Sequence, residues 1–220
     1  MLKLKIKPPT NLKTLLSVIL AVLATIGYSQ QSNDFVVLRN ENKPETNDTV
    51  FGQVDLPSDG VFWSVKIITA SGKKKFKTKE VLFLKAGNLF FASIPYGKSY
   101  AIVPRIVEGY IDLYFYYTGS DRLSFIPKMQ KEFRLDEKTS FYAPLGISQA
   151  IWKATSSFYI HDPKTKDYLK VPKSDDKFVE EISHVFIQNE DIYQRIVNGE
   201  YRSEQVGRIV TLYNQSIKNE

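Results

Sequence analysis

Hydrophobic and polar positions along the 220-residue chain fall into three regimes. Leu15–Ile26 is a single apolar run. From Asp34 to Val171, short segments rich in β-branched and aromatic residues are separated by turn formers, the pattern of strands. After Pro172, apolar residues recur three and four positions apart, the period of amphipathic helices.

The middle regime predicts strands at Asp34–Arg39, Thr49–Asp55 and Val61–Ala70, the last turning through Ser71-Gly72 into Lys73–Thr78 as a hairpin. Further strands are expected at Glu80–Lys85, Asn88–Ile94, Ser99–Val107, Tyr110–Tyr117, Phe141–Gly146, Gln149–Ile160 and Asp167–Val171. Asn40–Asp48, Pro57–Gly60 and His161–Lys166 read as loops or turns. Ser120–Thr139 is charged and unpatterned, a long excursion. Pro95 and Pro104 mark their segments as edge strands or irregular ones. In the third regime Ser174 starts a helix with Phe178, Val179, Ile182, Val185 and Phe186 on one face. Asn189 caps a second, with Ile192, Tyr193, Ile196 and Val197 inward and Gly199 closing it. Ser203 caps a third, carrying Val206, Ile209, Val210, Tyr213 and Ile217. The fold class expected is β-rich α+β: an antiparallel sandwich or open barrel at residues 30–172, followed by a short C-terminal helical segment at 173–220 packed on it.

The first regime changes the electrostatic picture. Lys3, Lys5, Lys7 and Lys13 precede an apolar run too short for a bilayer span of about 20 residues, and Gly27 and Ser29 suit a cleavage site after Ser29. Residues 1–29 thus read as a signal peptide, with a retained anchor as the alternative. The whole chain has 30 basic and 24 acidic residues. Without the four leader lysines, 26 basic residues face 24 acidic ones, net +2. So balanced a chain lacks the broad basic field of a nucleic-acid binder. The chain has no cysteine, hence no disulfide, no thiolate metal site and no residue for a lipoprotein anchor. The expected location is periplasmic or extracellular, with no transmembrane span in the mature chain.

Several short motifs resemble an uncharacterised family of secreted proteins from Bacteroidetes bacteria. They are the strand at Asp34–Leu38, Thr-x-x-Gly-x-Val at Thr49–Val54, and the lysine-rich stretch leading to Lys-Glu-Val at Gly72–Val81. Near the end stand Ile-Val-Asn-Gly-Glu-Tyr within Ile192–Tyr201, and Leu-Tyr-Asn within Ile209–Asn214. The chain departs from the family at Asn40–Asp48, which replaces a short Asn-Gly-Asp turn. The resemblance implies export, a β-rich body and C-terminal helices, and no assigned activity.

Candidate chemistry is sparse. His161 falls in a turn, and His184 has Glu180 four residues before it but no further ligand at helical spacing. No nucleophile elbow, phosphate loop or metalloprotease motif is present; Ser174–Lys177 fits Ser-x-x-Lys but reads better as a helix cap. The residues call for no metal and no cofactor. The run Lys73–Lys79, five lysines with one aromatic, could contact a polyanion such as nucleic acid or lipopolysaccharide, but reads better as a solvated hairpin that discourages edge pairing. In Leu113–Tyr117, alternation sends Leu113, Phe115 and Tyr117 to one side and Tyr114 and Tyr116 to the other. Tyr114 and Tyr116, joined by Trp63 and Trp152, are the candidate ligand-binding residues, because aromatic faces stack on sugar rings. Burial of both sides, one under helices, is the competing expectation. The function expected is that of a non-catalytic envelope protein with a binding or structural role, its partner an unknown envelope component or a protein. A carboxylate-dependent hydrolase or a glycan-binding module is the alternative.

Overall fold

The computed structural model describes residues 33–40, 47–58, 60–118, 122–132 and 156–218. Residues 1–29, expected to be a signal peptide, the segment Phe141–Gly146 and residues 149–155, Trp152 among them, lie outside these. Among the described residues eleven strands are present: β1 Phe35–Leu38, β2 Thr49–Phe51, β3 Gln53–Val54, β4 Ser64–Thr69, β5 Gly72–Lys77, β6 Val81–Ala86, β7 Leu89–Tyr96, β8 Ser99–Val107, β9 Asp112–Tyr117, β10 Ser156–His161 and β11 Tyr168–Lys170. Eight form an antiparallel sheet in the order β11-β10-β9-β8-β7-β6-β1-β2, and β3-β4-β5 form a second, smaller one. Helix α1 spans Arg122–Glu132; α2 (Asp175–Ile182), α3 (Glu190–Val197) and α4 (Val206–Ile217) follow the last strand. The fold is β-rich α+β, with an open sheet rather than a closed barrel.

One expected strand is in fact two. Thr49–Asp55 breaks at Gly52, so that β2 pairs with β1 in the large sheet and β3 with β4 in the small one. A side chain at Gly52 would overlap the Ile68 carbonyl, so only glycine lets the chain change sheets there. Asp34 reinforces the junction. Its buried carboxylate accepts from the Val54 N–H at 3.1 Å and the Gly87 N–H at 2.7 Å, while its carbonyl accepts from the Gly52 N–H.

The expectation of edge strands at the two prolines is corrected in part. β7 and β8 are interior strands. Pro95 sits near the end of β7, opposite Tyr100, and Pro104 directly precedes the register shift between Arg105 and Val107. Irregularity, rather than an edge, accommodates the missing donor of Pro104. The excursion at Ser120–Thr139 contains α1, whose Ile126 and Met129 are buried one turn apart despite Pro127 between them.

One face of the large sheet is covered. Ile102, Ile106, Leu113, Phe115 and Ile160 share a single core cluster with Phe178, Phe186, Ile196, Ile209 and Tyr213 of the helical segment. Towards β6 the same face meets the small sheet through Val54, Phe62, Val65 and Ile67, with Phe62 packing edge-on to Phe91 at 5.4 Å. The helices are fastened by Asn214 of α4. Its Nδ2 donates to the Ile111 carbonyl at 2.8 Å, and the Ile111 N–H donates to its Oδ1 at 2.9 Å. Gly109 leaves room for that amide, since a Cβ there would overlap it.

Helix boundaries differ in detail from expectation. The Asn189 carboxamide accepts from the Ile192 N–H at 3.0 Å, a side-chain cap as expected, and Gly199 ends α3. Ser174 precedes α2 without a side-chain cap, and Val185 and Phe186 belong to a 3-10 turn rather than to the helix. Ser203 opens a 3-10 turn before α4; it is buried, and its hydroxyl meets the Asp175 carboxylate and the Lys173 carbonyl. Val197 is 41% exposed rather than inward.

Candidate binding face

Strand alternation and register determine what lies on the other face of the large sheet. Residues paired across antiparallel strands share a side, so a row runs Phe51–Phe35–Lys85–Phe90 on β2, β1, β6 and β7. Arg105 continues it by placing its guanidinium over the Phe90 ring at 4.5 Å. Tyr114, Tyr159 and Lys170 complete it through β9, β10 and β11. Eight strands at about 4.8 Å spacing make this row roughly 34 Å long.

Aromatic rings dominate the row and its surroundings. Phe35 meets Phe51, Phe83 and Phe90 edge-on, with centroids 6.1–6.3 Å apart. Near the β7–β8 turn, the Tyr96 and Tyr116 rings lie 4.8 Å apart at 41°. Tyr114 packs edge-on against Tyr168 at 5.4 Å, and Tyr168 in turn lies 4.9 Å from His161. Beneath them Ala92, Ile94, Val103, Tyr114 and Tyr159 form a small buried cluster of their own.

The polar groups among these rings are largely engaged with one another. Arg105 pairs with Glu108 at 2.8 Å and with Asp112 at 3.2 Å. Asp112 also accepts from the Gly109 N–H and the Tyr114 hydroxyl. Burial is the main cause that pushes the Tyr114 phenol well above the usual tyrosine range, with the nearby Tyr168 and Asp112 adding to it. Burial likewise raises Tyr159, to about 12, and raises Tyr168. The fold thus favours the neutral, protonated form of all three phenols.

Of the four candidate residues, the structure brings Tyr114 and Tyr116 to this face and gives them different parts. Tyr114 is buried and braces Asp112; Tyr116 is half-buried and stacks with Tyr96, itself 41% exposed. Trp63 is 88% exposed but precedes β4 of the small sheet. Tyr96, Tyr168 and the four phenylalanines were not singled out by the sequence. Their shared side depends on strand register, which no local pattern states.

His161 ends β10 rather than occupying a turn, opposite Asp112 and Tyr168. The turn belongs to Asp162, whose carboxylate accepts from the Lys164 N–H and the Thr165 hydroxyl. His184 is exposed on its 3-10 turn. Among the described residues no group of three or more His, Asp or Glu side chains is arranged to hold a metal ion, and no helix is long and apolar enough to cross a membrane. Compared with known proteins, the chain matches no family model, no curated protein and no solved structure.

Proposed function

We propose that this chain is an exported, non-catalytic binding protein of the cell envelope, and that its aromatic sheet face takes up a carbohydrate polymer. The observation that carries this reading is the Tyr96–Tyr116 pair, an exposed ring and a half-buried one 4.8 Å apart on interior strands. Ring faces accept the C–H groups of a sugar, and phenol hydroxyls bond its hydroxyls. The interior strands β7 and β9 hold both residues, so the surface is preformed and binding orders little. Phe51 and Phe83, both exposed, extend the strip towards the β2 edge.

The basic start followed by Leu15–Ile26 supports export, as does the likeness of several motifs to secreted Bacteroidetes proteins. A carboxylate-dependent hydrolase suits this face less well. Asp112, half-buried, and Glu108, exposed, both pair with Arg105 rather than facing each other across a cleft.

Titration calorimetry of the full chain against a panel of envelope polysaccharides tests the reading. Tyr96→Ala is expected to weaken binding about tenfold, the equivalent of one lost ring contact. No heat of binding at millimolar saccharide, or an affinity indifferent to Tyr96→Ala and Tyr116→Ala, overturns it.

A further inference from the structure

The row across the aromatic face of the large sheet carries charge as well as rings, and its cations are unequally provided for. Phe51, Phe35, Lys85, Phe90 and Arg105 follow one another across β2, β1, β6, β7 and β8, and Lys170 ends the row on β11. Arg105 has two carboxylates, Glu108 at 2.8 Å and Asp112 at 3.2 Å. The cross-strand neighbours of Lys85 are Phe35 and Phe90, and among the described residues it forms no ion pair. Asp34, beside Phe35 in the chain, is buried and accepts instead from the Val54 and Gly87 N–H groups. Lys170, at the far end of the row, likewise forms no ion pair among the described residues.

Lys85 is half-buried, and its ammonium lies 5.7 Å from the centroid of the Phe90 ring. That ring already holds the Arg105 guanidinium, at 4.5 Å. A cation gains from a ring face, but here two cations share one ring and only Arg105 has acids beside it. Protection of an edge does not account for Lys85, because β6 is an interior strand. The lysines of the small sheet differ. Lys73 and Lys75, the latter opposite Lys66, are exposed on β5, an outermost strand, and Asp55 pairs with Lys73 at 3.2 Å. Edge protection is enough to explain them.

We propose that the polymer taken up by the aromatic face is an anionic polysaccharide, built of carboxylate-bearing sugars whose charge is met by Lys85. This narrows the carbohydrate reading above and rests on it. A neutral sugar brings its C–H groups to the rings but leaves Lys85 without a counter-charge; a uronate brings both. Tyr96 lies six residues beyond Phe90 on β7, about 20 Å along the strand, so no single sugar reaches from the tyrosine pair to the ammonium. Lys170 stands five strand steps from Lys85, about 24 Å across the sheet, which suits a chain with repeated charges.

Titration calorimetry of the full chain tests this with alginate and polygalacturonate, each alongside its carboxyl-reduced, neutral form. The acidic polymers are expected to bind about fivefold more tightly than the reduced ones, the worth of one charge contact, and the excess is lost at high salt. Lys85→Gln brings the affinity for the acidic polymers down to that for the reduced ones, whereas Lys85→Arg keeps the excess. Lys74→Gln with Lys75→Gln, on β5, leaves the excess in place. Tyr96→Ala weakens binding of acidic and reduced polymers alike, so the ring contact and the charge contact are read separately. Equal affinity for the two forms, or a Lys85→Gln effect that is the same on both, overturns the proposal and leaves the carbohydrate reading standing. An excess lost only in the β5 variant overturns it in favour of the lysine hairpin. Binding of neither form overturns both readings.

Discussion

The two faces of the eight-stranded sheet are made from neighbouring residues and do opposite things. Phe115 and Tyr116 are adjacent on β9. The first joins the core beneath the helices; the second stacks on Tyr96 at a half-open surface. On the covered side aliphatic residues and phenylalanines are packed together, and the backbone at Ile111 is pinned by Asn214. On the other side small residues are screened by tyrosines, a guanidinium and two carboxylates that bond to each other. Covering one face stabilises the sheet, which frees the other to keep rings at the surface.

The largest effect that tests this contrast comes from truncating the two neighbours. Phe115→Ala, on the covered face, is expected to cost about 3–5 kcal/mol in chemical denaturation, while Tyr116→Ala costs less than about 1.5 kcal/mol. Comparable losses would show that both faces are equally part of the core. Next comes the fastening itself. Asn214→Ala leaves a buried N–H and a buried carbonyl of Ile111 without partners, for an expected loss of about 2–4 kcal/mol. A loss under about 1 kcal/mol would mean that the helices hold to the sheet through apolar contact alone.

The smallest effect sharpens the other side of the contrast. The folded pKa of Tyr159 lies near 12 against an ordinary 10.0, so the folded chain keeps a proton that the unfolded chain releases between those values. The unfolded state then binds fewer protons, and stability falls as pH rises from about 10 to 12. It is fully present below pH 10. Tyr114 and Tyr168 act in the same direction. Ultraviolet difference titration should show a class of tyrosines that ionises only above pH 10, in step with unfolding. Titration of every tyrosine near pH 10 in the folded chain would contradict the burial of this cluster.

What sequence pattern could reveal follows from which interactions are local. The side preferences of Leu113–Tyr117, the Ser71-Gly72 hairpin and the Asn189 cap depend on residues a few positions apart, and each appears in the structure as expected. The break at Gly52 does not depend on its neighbours alone, because the atom that excludes a side chain belongs to Ile68 on another strand. Helix α1 was hidden by Pro127 and by having few apolar positions to set a period. The lysine run was visible; its charged partner Lys66 was not, because only the pairing of β4 with β5 puts it opposite Lys75. Tyr96 and Tyr116 sit on strands separated by β8, so their stacking is equally a product of register.

The clasp between Ile111 and Asn214 joins positions 103 residues apart. A chain made from its N-terminus presents β9 long before α4 emerges. Closing so large a loop is slow, and the helix that covers the sheet arrives well after the strand it covers. Completion of the core therefore waits for α4, and the covered face of the β-rich body stays unfinished until those residues have been made.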